Sequence, residues 1–543
     1  MGLLVFVATY NELENVEPLL ADIWAAVPDA HVLVVDDHSP DGTGALLDRL
    51  SAADARLHVV HRPAKLGLGT AHHLGMLFAM RHGYDTLVTM DADRSHDPAD
   101  IPRLVASLAD ADFVIGSRYM PGGACDYGGY RRFVSVAANT AARLLLGIPL
   151  HEFTTSFRAF RVDGLARVNF VKMHNQGYSF FMESVYRLHQ AGLRLTEVPI
   201  TFRDRYAGVS KIPRFEIVRG VAKLLHLAAS KLLRRRMPPA SPPIMDKCAG
   251  CGSGFLSERF PQQLAAPGEA HRSNAYRCSS MGHARKPTVA LCVRCGLSQV
   301  PASERPADLE DLYADVVDDA YLENLPAKRG TFAHAYRQLR PWLPAPGRLL
   351  EAGSYCGLFL EQAKAKGWSV TGIEPSRWAS EYSRASGGLY VLQGSFEETA
   401  ASLPADFDLV VSWDVLEHVP EPMRFLKTAH DHLKPGGIVA LSTIDIDSRF
   451  ARLMGRRWPW IMEMHLYYFG GGSLERMLRD TGFEVLCVAP YRHYASLRYI
   501  GRKLCTALPG AAGRLCARAT ALVPAWVVPV TLGDVKLYVG RKR

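Results

Sequence analysis

The sequence predicts an α/β protein in which two parallel-sheet units flank a small metal module, and three observations carry that expectation. Short apolar runs alternate with amphipathic helices from Leu3 to about Gly208, the alternation resumes at about Arg348, and two CxxC pairs lie between. A chain of 543 residues is too long for one ordinary core, so separate units are expected.

In the first unit, LLVFVAT, HVLVVDD, LHVVHR, TLVTMDAD and DFVIGSR read as strands. Ligands of open α/β sheets sit at the carboxyl ends of strands, so the residues just after each apolar run are the informative ones. Those residues are acidic: Asp36 and Asp37 end one strand, Asp91 and Asp93 another. A lone carboxylate pair at a strand end is an ordinary solvated turn, but four such residues in one unit point to a ligand. Two carboxylates at spacing i, i+2 can share a hard divalent cation while substrate phosphates fill its other positions. Such a cation serves a nucleotide diphosphate leaving group as Lewis acid and template. His96, beside the second pair, reads as a loop residue.

Pro213 to Arg236 reads as one helix, with Ile217, Val221, Leu224, Leu225, Ala228 and Leu232 on one side and Arg219, Lys223, Ser230 and Arg234 towards the other. The basic face suits either solvent or an anionic membrane surface. The proline-rich MPPASPP that follows cannot continue a helix, so 237–246 reads as a linker.

Cys248 and Cys251 pair as CAGC, Cys292 and Cys295 as CVRC, each followed by glycine. Four thiolates suit tetrahedral, structural Zn²⁺, and the glycines permit the turns that aim each pair at one point. A closed four-thiolate site has no position for substrate, so its role is folding. The remaining cysteines are expected unpaired, as in a reducing compartment. The expected module spans 247–300, and a helical, acidic connector spans 301–347.

In the second α/β unit, 348–543, RLLEAGS, WSVTGIEP, GLYVLQGS, FDLVVSWD and GIVALSTI read as strands. The glycine turn in LLEAGSYCG and the acid Glu374 at the end of the next strand suit a nucleoside cofactor whose ribose hydroxyls meet the carboxylate. On these features alone a nicotinamide dinucleotide would serve as well.

Composition narrows the partners. The chain is 48% hydrophobic and 22% charged with a formal charge of +9, a balance that suits a phosphate-rich partner. No interleaved basic and aromatic pattern points to nucleic acid, and the cysteine segment has no recognition helix. Met1 runs directly into an apolar strand without a basic leader, and the best apolar stretch, Ala519 to Leu532, is short and carries two prolines. The expected location is the cytoplasm, with peripheral contact at the cytoplasmic membrane face.

TYNELEN, VVDDHSPDGT, KLGLGTA, MDADRSHDP, VIGSRYMPGG and EVPITFRDRYAGVSK, in that order over the first 236 residues, resemble the successive motifs of dolichol-phosphate mannosyltransferases, family-two glycosyltransferases with a GT-A fold. The resemblance implies transfer of a hexose, mannose from GDP-mannose or glucose from UDP-glucose, to a polyprenyl phosphate. It implies Tyr10, Glu12, Asp36, Asp37 and Lys65 on the donor nucleotide and Asp91 and Asp93 on Mg²⁺ or Mn²⁺. Arg118, Arg131 and Ser135 would then meet the acceptor phosphate, while Arg205 and Lys211 close over the phosphates. Forked arginine contacts suit phosphate physically. The phosphate nucleophile is already anionic, so positioning and charge stabilisation should dominate over general-base catalysis. The chain departs from the family at Ala8, Ser95 and EFTTSFR, where Ser156 takes a glycine position and could tighten a turn.

FDLVVSWDVLEHVPEP and LKPGG resemble class I methyltransferases, and the CxxC pairs resemble the zinc knuckles that precede sugar C-methyltransferases. This implies S-adenosylmethionine, with Glu351, Gly353 and Gly357 on its methionine side, Glu374 on the ribose, and Ser395 and Phe396 at the adenine. Trp413, Asp414 and His418 would floor the methyl-transfer site, and His465 in EMHLYYF is the candidate base against the alternative of a packed histidine. A noncatalytic C-terminal binding module is the rival reading.

Overall fold

The run LLVFVAT becomes the centre of the first sheet: β1 (Leu3–Thr9) lies between β2 (His31–Asp36) and β4 (Thr86–Asp91), parallel to both, with Leu4 to Val7 buried. The computed structural model describes residues 2–168, 170, 173, 179–203, 215–233, 244, 246–263, 286–306, 309–314, 316–505, 516, 520 and 523–543, with only the backbone described for residues 131, 215–219, 309–311, 319, 320, 503 and 504. The chain divides into two compact units, one built mainly from residues 1–245 and one mainly from 246–543.

With β3 (Leu57–His61), β5 (Phe113–Ser117), β6 (Arg158–Arg161) and β7 (Leu195–Pro199), the first sheet has the order β3-β2-β1-β4-β6-β5-β7. The sequence reading missed β6, which runs antiparallel between β4 and β5. It is four residues long and begins with a buried arginine, so no apolar run announces it. The Arg158 guanidinium donates to the carbonyls of Phe153, Thr155 and Phe181 and to the Ser184 hydroxyl, and burial lowers its pKa to about 9. Those bonds fix the preceding loop, Glu152 to Phe157, under the end of β4.

The helix Phe215–Leu232 corrects the predicted apolar face. Leu224 and Leu227 are buried, whereas Val221, Leu225 and Leu232 are exposed, and Lys223 turns inward to the buried carboxylate of Glu183 at 2.5 Å. Glu183 also accepts from Arg187 one helical turn along, at 2.6 Å. The helix Gly129–Leu146 packs against Phe215–Leu232 and itself exposes Tyr130, Phe133, Val136, Leu144 and Leu145. Within the described residues no helix is long and apolar enough to cross a membrane.

The second sheet contains β8 (Arg348–Ala352), β9 (Ser369–Glu374), β10 (Val391–Gln393), β11 (Phe407–Trp413), β12 (Leu433–Ile444), β13 (Phe483–Pro490) and β14 (Val535–Lys542) in the order β10-β9-β8-β11-β12-β14-β13. The first five strands are parallel, as the alternation predicts; β14 runs antiparallel to both β12 and β13 and closes the far edge. Strand order reverses between β8 and β11, which opens a ligand crevice at their carboxyl ends.

In the cysteine segment Val289–Cys292 pairs antiparallel with Ser298–Gln299, and the latter pairs with Tyr467–Tyr468 of EMHLYYF. Cys505 and Cys516 form a disulfide, which corrects the expectation that every cysteine outside the CxxC pairs is unpaired. The two stand 11 positions apart in the sequence, with their Cα atoms 5.6 Å apart.

Candidate active sites and cysteine cluster

In the first unit, β1, β2 and β4 each end in a polar turn containing a non-glycine residue in the left-handed region: Asn11 (φ 59°), His38 (φ 61°) and Arg94 (φ 60°). Around these turns stand the predicted donor residues. The Lys65 ammonium lies 4.2 Å from the centroid of the Tyr10 ring, and the Glu12 carboxylate accepts from Asn15. Asp36 is buried and accepts from the hydroxyls of Thr9 and Ser39 at 3.1 and 2.5 Å. Asp37 is paired with Arg62; burial raises the Asp37 pKa, and the guanidinium opposes that shift. Sequence reasoning missed Arg62, because an arginine at the end of a strand carries no motif.

Asp91 ends β4 and Asp93 follows it, as predicted. The Ser95 amide donates to Asp93 at 3.2 Å, and the Ser156 hydroxyl donates to Asp91 at 2.6 Å. Ser156 therefore acts on the carboxylate itself. His96 lies in the loop after β4, as predicted, with its ring buried: its Nδ1 accepts from the Asp91 amide at 3.2 Å and its Nε2 lies 3.1 Å from the Thr155 hydroxyl. This fixes the proton on Nε2. Burial lowers the His96 pKa to about 4, so the ring is neutral near neutral pH. The carboxylate oxygens of Asp91 and Asp93 are hard donors, the type that Mg²⁺ or Mn²⁺ takes.

The predicted acceptor residues Arg118 and Ser135 are joined by a network that is buried at Arg118 and partly buried at Ser135. Arg118 forks onto Glu152 at 2.7 and 2.9 Å and donates to Tyr127 at 2.7 Å; Tyr119 lies 3.0 Å from Tyr127 and donates to Ser135 at 2.7 Å. Burial alone would raise the Glu152 pKa, but the guanidinium holds it below its ordinary value. Glu152, Tyr119 and Tyr127 were not legible as site residues. The side chain of Arg131 and all of Arg205 and Lys211 lie outside the described residues.

In the second unit the turn after β8 places Gly353 (φ 71°), Tyr355 (φ 45°) and Gly357 (φ 72°) in the left-handed region. A Cβ on Gly353 would stand 2.5 Å from Val415, and one on Gly357 2.4 Å from Leu389, so both glycines are sterically required. Glu374, at the end of β9, accepts from the amides of Tyr355 and Ser376 at 2.7 and 2.9 Å. Burial raises Glu374 to about 7, and burial with the Glu374 charge raises Glu351 well above its ordinary value. Four buried polar atoms around this crevice have no hydrogen-bond partner among the described residues: Glu351 Oε2, Ser354 Oγ, Ser395 Oγ and Trp413 Nε1. Such atoms call for a polar ligand, and S-adenosylmethionine fits them with its amino group and hydroxyls. Phe396 is buried beside Ser395, its ring centroid 4.7 Å from that of Phe425.

Trp413 stacks on the buried Tyr491 at 5.7 Å. Asp414 is left-handed (φ 54°), accepts from the Ser442 hydroxyl at 2.7 Å and faces His493 at 3.6 Å. The His418 and His465 rings meet edge to face, 4.7 Å between centroids. Burial pushes His418 down to about 4, and burial with the nearby Asp414 charge pushes Glu417 up to about 8. The amides of Leu466 and Tyr467 donate to the Glu417 carbonyl, which ties EMHLYYF to the end of β11 and so carries His465 to His418.

The four cysteines form one cluster, every pair of sulfurs within 4.8 Å. In each pair the glycine after the second cysteine, Gly252 or Gly296, has positive φ and donates to the carbonyl of the first at 2.8 Å. The repeated turn and the soft donor set fit zinc.

Comparison with known proteins agrees with both halves. Residues 4–168 match glycosyl transferase family 2, and residues 321–488 match the family described as a methyltransferase domain. The chain is 46% identical over 212 residues to a polyprenol monophosphomannose synthase from Mycolicibacterium smegmatis, covering 38% of this chain and 80% of that one. It is 42% identical over 213 residues to an undecaprenyl-phosphate mannosyltransferase from Micrococcus luteus, covering 39% and 88%. A solved SAM-dependent methyltransferase from Thermotoga maritima aligns at 22% identity over 41% of this chain and 95% of its own, with a TM-score of 0.29. The chain belongs to glycosyl transferase family 2, with a polyprenol-phosphate mannose synthase-like domain joined on one polypeptide to a cysteine cluster and a class I, SAM-dependent methyltransferase domain.

Proposed function

We propose that the first unit transfers mannose from GDP-mannose to a polyprenyl phosphate, and that the second methylates a sugar or glycolipid. The observation that carries the first part is the 46% identity to a polyprenol monophosphomannose synthase across a unit whose strand-end carboxylates are held in place by buried partners. A divalent cation, when bound, supplies charge neutralisation on the diphosphate; Asp91 and Asp93 would hold it. Tyr10, Glu12, Asp36, Asp37 and Lys65 hold the nucleotide in this reading, and Arg118, Arg131 and Ser135 orient the acceptor phosphate. Arg205 and Lys211 cover the phosphates. The functional boundaries that go with it are 1–236 for glycosyl transfer, 247–300 for zinc and 348–543 for methyl transfer.

In the second unit Glu351, Gly353, Gly357, Glu374, Ser395 and Phe396 would hold S-adenosylmethionine, whose methyl group faces Trp413, Asp414 and His418. His465 offers the basic nitrogen that meets the acceptor. The apolar side chains exposed on Gly129–Leu146 and Phe215–Leu232 support contact with the cytoplasmic membrane face, where a polyprenyl chain resides.

The test is mass spectrometry of lipid products after the full chain is incubated with membranes, labelled S-adenosylmethionine and either GDP-mannose or UDP-glucose. Mannosyl phosphoprenol formed from GDP-mannose is expected. Turnover of UDP-glucose alone would replace the donor, and absence of any methylated product together with absent cofactor binding would reduce the second unit to a binding module.

A further inference from the structure

We propose that Glu417, His418 and His465 form a binding site for a divalent transition-metal cation, separate from the cysteine cluster and from the carboxylates of the first unit. One ligand atom from each of the three lies within 4.8 Å of the others.

The hydrogen bonds around the histidines set up that donor set. The His418 Nδ1 lies 2.9 Å from the Met464 carbonyl and the His465 Nδ1 lies 2.8 Å from the Trp460 carbonyl. A carbonyl oxygen only accepts, so the His465 Nδ1 carries the proton and its Nε2 the lone pair; the same tautomer of His418 satisfies the Met464 carbonyl, with the Tyr313 hydroxyl as a second neighbour 2.9 Å from that Nδ1. Metal-bound histidines are held this way, with the far nitrogen donating to a carbonyl or carboxylate that fixes ring and tautomer. Glu417 is anchored in turn: its Oε2 accepts from the Thr443 hydroxyl at 2.7 Å. Glu417 and His465 are buried, while His418 is partly exposed and leaves an approach to the site.

Two imidazoles and a carboxylate suit zinc, cobalt or ferrous iron better than magnesium, and three protein ligands leave positions open, in contrast to a closed four-thiolate site. The site adjoins the floor assigned to methyl transfer, so its catalytic meaning rests on that reading. With a cation in place His465 is a ligand, and an acceptor hydroxyl on the cation would lose its proton more readily than in water.

The test uses the full chain with its cysteine cluster zinc-loaded and carrying Asp93→Asn, so that the first unit does not compete. Co²⁺ is titrated in and its visible ligand-field bands are read. A saturable band is expected, weakened at least about tenfold in Glu417→Gln and His465→Asn while S-adenosylmethionine binding by calorimetry persists. No band, or one unchanged in both variants, overturns the proposal. A crystal soaked in Co²⁺ gives a check without variants: an anomalous peak among the three side chains supports the site, and a blank map overturns it. Co²⁺ binding without S-adenosylmethionine binding would instead overturn the methyltransferase reading and leave the cation site standing.

Discussion

The Ser156 hydroxyl donates to the Asp91 carboxylate at 2.6 Å, so a residue in a loop glycine position contributes directly to the electrostatics of the strand-end acids. A hydroxyl donor withdraws part of the charge that a cation would meet. Ser156→Gly is expected to tighten Mn²⁺ activation of mannosyl transfer by about tenfold, the scale of one hydrogen bond to a charged group. The Mn²⁺ concentration for half-maximal activity measures it; an unchanged or weaker requirement refutes the assignment.

His96 accepts from the Asp91 amide and thereby holds the backbone of the same acid. His96→Ala should lower kcat for glycosyl transfer by about tenfold, equivalent to about 1.4 kcal/mol, with methyl transfer unaffected. Steady-state kinetics on both activities of one preparation provide the check.

Glu374 couples cofactor binding to pH. An acid raised to about 7 from an ordinary value of 4.5 is protonated more readily folded than unfolded. Its contribution therefore disfavours the empty fold progressively as pH rises from about 4.5 to about 7, then levels off. Ribose hydroxyls donate to the ionised form, so S-adenosylmethionine affinity should rise with pH through about 7 and release protons on binding. Calorimetry in buffers of different ionisation enthalpy measures both effects, and Glu374→Gln should flatten the dependence.

The cysteine cluster should act through folding. Structural zinc in small modules contributes on the order of 10 kcal/mol of apparent binding energy, so Cys295→Ser should lose the metal and lower the unfolding midpoint of the chain. Elemental analysis beside a thermal scan tests this; a chain that retains its midpoint without zinc would show the cluster to be dispensable.

Val221, Leu225 and Leu232 are exposed on the helix Phe215–Leu232. Changing all three to serine is expected to reduce sedimentation with anionic vesicles several-fold, since each buried aliphatic side chain contributes about 1.5–3 kcal/mol. Stability should hold, because none of the three packs inward. Vesicle sedimentation and a melting curve read the two outcomes.

The two α/β alternations were legible because β1, β2, β4, β8 and β11 are buried on both faces and read as unbroken apolar runs. β6 was not, since its first residue is a buried arginine satisfied by carbonyls from distant loops. Site acids at strand ends were legible from spacing. Arg62, which pairs with Asp37, Glu152, which pairs with Arg118, and Glu417, beside His418 and His465, were not, because such groupings depend on which loops meet in space. The face of Phe215–Leu232 was misread for a related reason: Lys223 turns inward to a buried carboxylate on another helix, and helical periodicity cannot foresee that partner.

Asn11, His38, Arg94, Tyr355 and Asp414 are the described non-glycine residues with positive φ, and each follows a strand that delivers candidate site residues. A side chain in that conformation costs about 1–2 kcal/mol relative to the right-handed form. Selection for heat resistance alone would favour glycine at these five positions, whereas selection for turnover would retain the present side chains. The most durable form of this chain and its most active form are therefore expected to be different sequences, diverging first at the strand ends.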